Sequence, residues 1–142
     1  MTREEKETWV FLVVSVSAFA WYLVWLIAQI FNTPAAEIAY VTPMLWAIGS
    51  AIASAIIGNI ALSITAPKAA NQRDQRDREI QRHGDYSGQF LVNIAGLAVV
   101  VMCMLRLDYF WIANTMYFAF VGTALITALV KLRSYRTGFD PC

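Results

Sequence analysis

The chain has little of what a soluble enzyme is built from. It holds one histidine, two cysteines and four prolines in 142 residues, and charged side chains make up 15% of it, where about 25% is usual for a soluble domain. His83 stands alone, without a Cys or carboxylate cluster at ligand spacing, so no metal coordination sphere can be filled around it. Cys103 sits inside an apolar run and Cys142 is the last residue, so no disulfide is expected, and a terminal Cys is not a prenylation signal. Without a Ser or Cys beside a buried His, or paired carboxylates, no catalytic constellation assembles; neither an enzymatic activity nor a cofactor is expected. A net charge of +1 gives no electrostatic case for direct nucleic-acid binding.

What is present is apolar sequence, 58% of the chain, gathered in long runs. The first covers 9–31, interrupted only by Ser15, Ser17 and Gln29. At 1.5 Å per residue, such a run spans about 30 Å of hydrocarbon. Trp21, Tyr22 and Trp25 lie where a secretory signal would place small residues, so the segment is expected to be a retained helix. Asn32, Thr33 and Pro34 break it. Thr2 or Thr8 is available as its cap, and Thr42 with Pro43 is a suitable cap and first-turn pair for a second span over 43–66. That span contains Gly49, Ser50, Ser54 and Gly58; the last three recur every four residues and predict a face for close helix packing. A third span is expected over 89–107 and a fourth over 110–132, joined by a tight turn around Arg106 and Asp108. The two halves share a layout but match poorly residue by residue.

Between the second and third spans lies a connector, 67–88, that is the most hydrophilic part of the chain. Its run Arg73, Asp74, Gln75, Arg76, Asp77, Arg78, Glu79 alternates in sign, and Arg82 and His83 follow. Only Ile80 is apolar between Asn71 and His83, so the segment is expected to be a solvated cytosolic helix, either continuous with the third span or bent at Gly84 and Gly88. Ten of the eleven Lys and Arg residues lie at the N-terminus, in the connector or in the tail, and the short loops on the other side hold only Arg106. The excess of cations on one side predicts cytoplasmic termini and connector. Tyr40, Trp46, Tyr109, Phe110 and Trp111 then fall near the outer interface, where amphipathic aromatics are favoured.

No acid or base lies deep within any span. Proton-coupled carriers generally need such a group, and small multidrug exporters, similar in length and span number, carry an acid in the first span. Glu37 lies too far out to replace it. The polar residues left in or beside the spans are Gln29, Asn59, Asn93 and Asn114. The asparagines would either line a path for a small solute or bond between helices.

The segments PKAANQRDQRDREIQRHGDYSGQFLV, TREEKETWVFLVV and FWIANTMYFAFV together resemble a family of small four-span bacterial membrane proteins, a domain of unknown function. Its connector bears an Asp-x-Arg-Asp-type signature, here Asp74 to Glu79. The resemblance implies a location in the bacterial inner membrane. It also implies a regulatory partner, since similar proteins are often encoded beside a short helix-turn-helix regulator. The expected fold is therefore an all-α membrane protein of four transmembrane helices in two hairpins, one integral domain over 1–142. The expected function is to scaffold or regulate a cytosolic partner through Arg73, Asp74, Arg76, Asp77, Arg78, Glu79 and Arg82. The alternative is an oligomeric channel or small-solute transporter, assembled through Gly49, Ser50, Ser54 and Gly58 with Asn59, Asn93 or Asn114 facing a lumen.

Overall fold

The structure, a computed structural model, describes residues 3–65 and 75–137. Lys68, Arg73, Asp74 and Cys142 lie outside the described residues. The chain forms α1 (Arg3–Ile30), a 3-10 turn (Ala35–Glu37), α2 (Val41–Thr65), α3 (Gln75–Met104) and α4 (Tyr109–Thr137). All four α-helices are long and apolar enough to cross a membrane.

Helix boundaries follow local chemistry. α1 begins at Arg3, so Thr8 is a buried residue inside the helix and not its cap. At the other end, the Asn32 side-chain amide donates to the Ala28 carbonyl at 2.6 Å and the Thr33 N–H donates to Gln29 at 2.9 Å. These bonds satisfy carbonyls that the ending helix would otherwise leave bare, and Pro34 then turns the chain into the 3-10 segment. α2 starts at Val41, one residue before the expected cap, with Pro43 in its first turn, where a missing N–H is harmless. α3 ends at Met104, three residues short of the expected 107. Arg106 there takes a left-handed backbone (φ 54°). The Leu107 N–H donates to Met102 and the Arg106 N–H to Cys103, both at 3.1 Å, the paired closure usually given to glycine.

α1 packs against both α2 and α4, and α4 also packs against α3. α1 and α4 thus form the central pair, with α2 and α3 on its flanks. The main buried cluster lies toward the short-loop end. Tyr22 is fully buried there with Leu26, Ile38, Ala47, Phe110 and Tyr117. Tyr22 and Tyr117 meet edge to face at 4.9 Å between ring centroids, and Tyr40 meets Phe110 in the same way at 5.5 Å. Apolar side chains also cover the outside: Val24, Phe31, Ile57, Ile64, Leu97 and Leu129 are all exposed. At most 22% of any span is buried within the chain. Water does not tolerate that much contiguous apolar surface, whereas a hydrocarbon layer does.

Several serine hydroxyls bond within their own helix. Ser17 donates to the Val13 carbonyl at 2.7 Å, Ser50 to Ala47 at 3.1 Å and Ser63 to Asn59 at 2.8 Å. Bonding to their own helix removes the cost of a bare hydroxyl in lipid.

One expectation is overturned. The described part of the connector is not a solvated segment without a buried face. From Gln75 onward it is the first part of α3, unbroken at Gly84 and Gly88. Ile80 is 0% exposed, and Gly84 and Gly88 are buried. The three share one face at four-residue spacing, and Leu91 and Ala95 continue that face into the span. Counting apolar residues alone hides this stripe, because two of its members are glycines.

Candidate functional site

The chemistry of the described residues concentrates at the connector end. A helix of 30 residues is about 45 Å long, whereas the hydrocarbon is about 30 Å thick. α3 therefore extends beyond its span, and we call the projecting part, from Gln75 to about Ser87, the arm. α1, with 28 residues, and α4, with 29, are long enough to project beside it.

Close backbone approach seats the arm on α4. A methyl group added at Gly84 would lie 2.6–3.2 Å from the Lys131 stem. One added at Gly88 would lie 2.8 Å from Thr123 Cγ2 and 3.1 Å from the Thr123 carbonyl. The Thr123 hydroxyl donates to the Gly88 carbonyl at 3.2 Å, and Lys131 Nζ lies 2.8 Å from Asp85 Oδ1. Across the same layer the Arg136 guanidinium stands 5.7 Å over the Trp9 ring, tying α4 to α1 by a cation–π contact. The Trp9 indole N–H is buried without a hydrogen-bond partner.

The ion pair contributes less than the packing. Asp85 is 68% exposed, and exposed pairs are worth about 0–1 kcal/mol. Asp85→Asn is therefore expected to cost less than about 1 kcal/mol and to leave the arm docked. Reversible unfolding in mixed micelles, with the arm position followed by spin labels, checks both outcomes.

With its inner face occupied, the arm turns Arg78, Glu79, Arg82 and His83 outward, all exposed, while Asp77 is half-buried. Arg76 lies in the first turn of α3. Tyr86 and Phe90, 79% and 70% exposed, continue the outer surface toward the span. The charged residues expected to bind a partner are thus brought together on one helix as far as they are described.

The other expected residues are dispersed. Asn114 is buried and bonded on both sides: its Oδ1 accepts from the Tyr22 hydroxyl at 2.7 Å, and its Nδ2 donates to the Phe110 carbonyl at 2.8 Å. It joins α1 to α4. Asn93 is exposed on α3, and Asn59 faces a cleft between α1, α2 and α4. The three asparagines do not converge on one axis within the chain. Of the small residues of α2, Gly58 abuts Val10 of α1, where an added methyl would lie 2.5 Å from Val10 Cγ1. Gly49, Ser50 and Ser54 are exposed, and nothing lies within 4 Å of a methyl added at Gly49.

Two adjoining cavities mark the region where α1, α2 and α4 meet. The larger, about 330 Å³, is apolar and lined by residues such as Ser15, Ala51, Ala55 and Phe120. The smaller, about 180 Å³, has a mixed polar and apolar wall and takes residues from all four helices: Glu7 and Thr8, Asn59, Gln81, Thr127 and Lys131. Phe11 and Asn59 line both. No local pattern marks this junction, because its residues come from four separate segments. Among the described residues no cluster of His, Cys, Asp and Glu could hold a metal ion.

No protein-family model matches the chain, and neither the curated proteins nor the solved structures contain a detectable relative.

Proposed function

We propose that this chain is a multi-pass protein of the bacterial inner membrane, folded as two hairpins with both termini and the connector in the cytosol, and that it holds or regulates a cytosolic protein through the arm. The orientation rests on ten of eleven Lys and Arg residues falling on the connector side. The function rests on one observation. The arm is continuous with a span, abuts α4 at Gly84 and Gly88 and buries Ile80, which leaves Arg78, Glu79 and Arg82 exposed together. A surface ordered before binding avoids the entropy that a flexible charged loop would lose on docking. The partner this surface suits carries alternating charge of its own, so that each arginine meets a carboxylate and Glu79 meets a cation. A small helix-turn-helix regulator, implied by the resemblance of the connector, is one such partner. The reading assigns no catalytic step and no cofactor.

The test is affinity capture of the tagged protein from its native membrane, with Arg76, Arg78 and Arg82 together replaced by glutamate as the control. A stoichiometric cytosolic protein should be recovered with the parent and lost with the variant, while membrane insertion is unchanged. Equal recovery with both, or recovery only of further copies of the chain, would sink the reading.

A further inference from the structure

We propose that two copies of the chain pair through the side of α3 turned away from α4, with their two Asn93 amides bonded to one another inside the bilayer. This goes beyond the reading of the arm and does not depend on the arm having a partner. It needs only that the chain crosses the membrane and that all copies insert the same way round.

The observation that carries it is a polar group left bare. Asn93 is exposed on the outside of the bundle. It stands about 16 Å along the helix from the end of α3 at Met104, well inside a hydrocarbon layer about 30 Å thick. Its side chain forms no hydrogen bond with any described residue. Other polar groups of the helices are met within the chain: Asn114 is bonded on both sides, Asn32 donates to Ala28, and Ser17 and Ser50 donate to their own helices. Hydrocarbon offers an amide no partner, so the group that meets Asn93 must come from another protein chain.

The surface around Asn93 has the form of a helix seam. Tyr86, Gln89, Asn93, Gly96, Val100 and Cys103 follow one another at alternating steps of three and four residues, and all are exposed but the half-buried Gly96. That is the spacing by which two helices pair in a left-handed supercoil. The seam lies opposite Gly84, Gly88 and Leu91, which face α4. A methyl added at Gly96 would meet nothing within 4 Å, so a second backbone can approach closely there. The occupant is a copy of the same chain because the contact is its own complement. A two-fold axis sets a residue against itself, and an amide carries both N–H donors and a carbonyl acceptor, so two of them can exchange bonds. Ten of the eleven Lys and Arg residues lie on one side, which orients every copy alike and brings Asn93 to the same depth in each. A single asparagine in such a seam also fixes its register and favours two strands.

Energy transfer between donor- and acceptor-labelled copies of the full chain, diluted stepwise in dioleoyl phosphatidylcholine liposomes, tests this. The parent should dissociate as a dimer. Asn93→Leu should weaken pairing about three- to thirtyfold, the span set by interhelical hydrogen bonds in bilayers, whereas Asn93→Gln, which keeps a donor and an acceptor, should retain it. Gly96→Leu should weaken pairing too, although a single copy has room for the side chain. Ser54→Leu, on the exposed face of α2, should leave it unchanged. With Cys142 replaced by serine, a short bis-maleimide should link Cys103 of one copy to Cys103 of the other, which an antiparallel pair would not allow. Transfer no higher than random encounter gives, an Asn93→Leu dimer as tight as the parent, absence of the Cys103 link, or an oligomer that Ser54→Leu disrupts and Gly96→Leu does not would each overturn the proposal. Unchanged helical content and unfolding midpoint for Asn93→Leu and Gly96→Leu keep loss of pairing distinct from loss of folding. Because the readout is self-association, the outcome is independent of whether the arm captures a cytosolic protein.

Discussion

Gly88→Leu is expected to separate the arm from α4 and to cost about 1–3 kcal/mol, the usual range for forcing extra carbons into a filled contact. The magnitude follows from what stands opposite. Thr123 and Thr127 are β-branched, with few rotamers to retreat into, and both lie against the position that a new Cβ would occupy. The Thr123 carbonyl stands 3.1 Å away and belongs to the helix backbone, so it moves only if α4 moves. The same leucine at Gly84 meets only the methylene stem of Lys131, which can swing aside, and should cost less. The order of the two variants is therefore part of the prediction. Spin labels at Glu79 and Arg133, both exposed, should report one narrow distance in the parent and a broad distribution in Gly88→Leu. A narrow, unchanged distance would show that the arm is seated without the Gly88 contact.

Truncation at Tyr22 should cost still more. Tyr22 is fully buried, stacks on Trp25 at 6.0 Å and meets Tyr117 edge to face. It donates to Asn114 across the central helix pair. Tyr22→Ala removes both the ring and the bond and is expected to cost about 3–5 kcal/mol, as large aromatic truncations in cores do. Tyr22→Phe removes only the hydroxyl. It should cost about 0.6–2 kcal/mol, the range measured for interhelical bonds in bilayers. Each change strands one buried partner, the Tyr22 hydroxyl or the Asn114 Oδ1, but Asn114→Leu also removes the bond to Phe110 and should therefore cost more than Tyr22→Phe. A double-mutant cycle in mixed micelles, followed by unfolding midpoint and slope, measures the coupling. Additive effects of Tyr22→Phe and Asn114→Leu would show that the two groups do not bond.

How much of this was legible in the sequence depends on the range of each interaction. The four helices could be read because apolar length is a property of one segment. The break after α1 could be read because Asn32 and Pro34 act on neighbouring residues. The seating of the arm was readable in principle, from Ile80, Gly84 and Gly88 at helical spacing. It was hidden because glycine suggests a bend by its backbone freedom and a packing surface only once a neighbour is known. The Tyr22–Asn114 bond spans 92 residues, and nothing local in either segment specifies the other. The paired cavities need four helices at once, and no periodicity within one helix encodes a space between several. The outward charges of the arm lie between these cases: the sequence shows the residues, and only the docking of the inner face determines which side they occupy.

That long-range bond also bears on how the protein is made. If the spans enter the bilayer in order, Tyr22 reaches the membrane well before its acceptor exists. At 5–20 residues per second, the 92 residues to Asn114 take about 5–20 s to synthesise. During that interval α1 has α2 beside it, but the face that will receive α4 meets lipid, with a phenol hydroxyl that the hydrocarbon cannot satisfy. The fourth of these helices is thus the one that completes the centre. A nascent chain halted before α4 carries an unmet polar group at the face that α4 would cover.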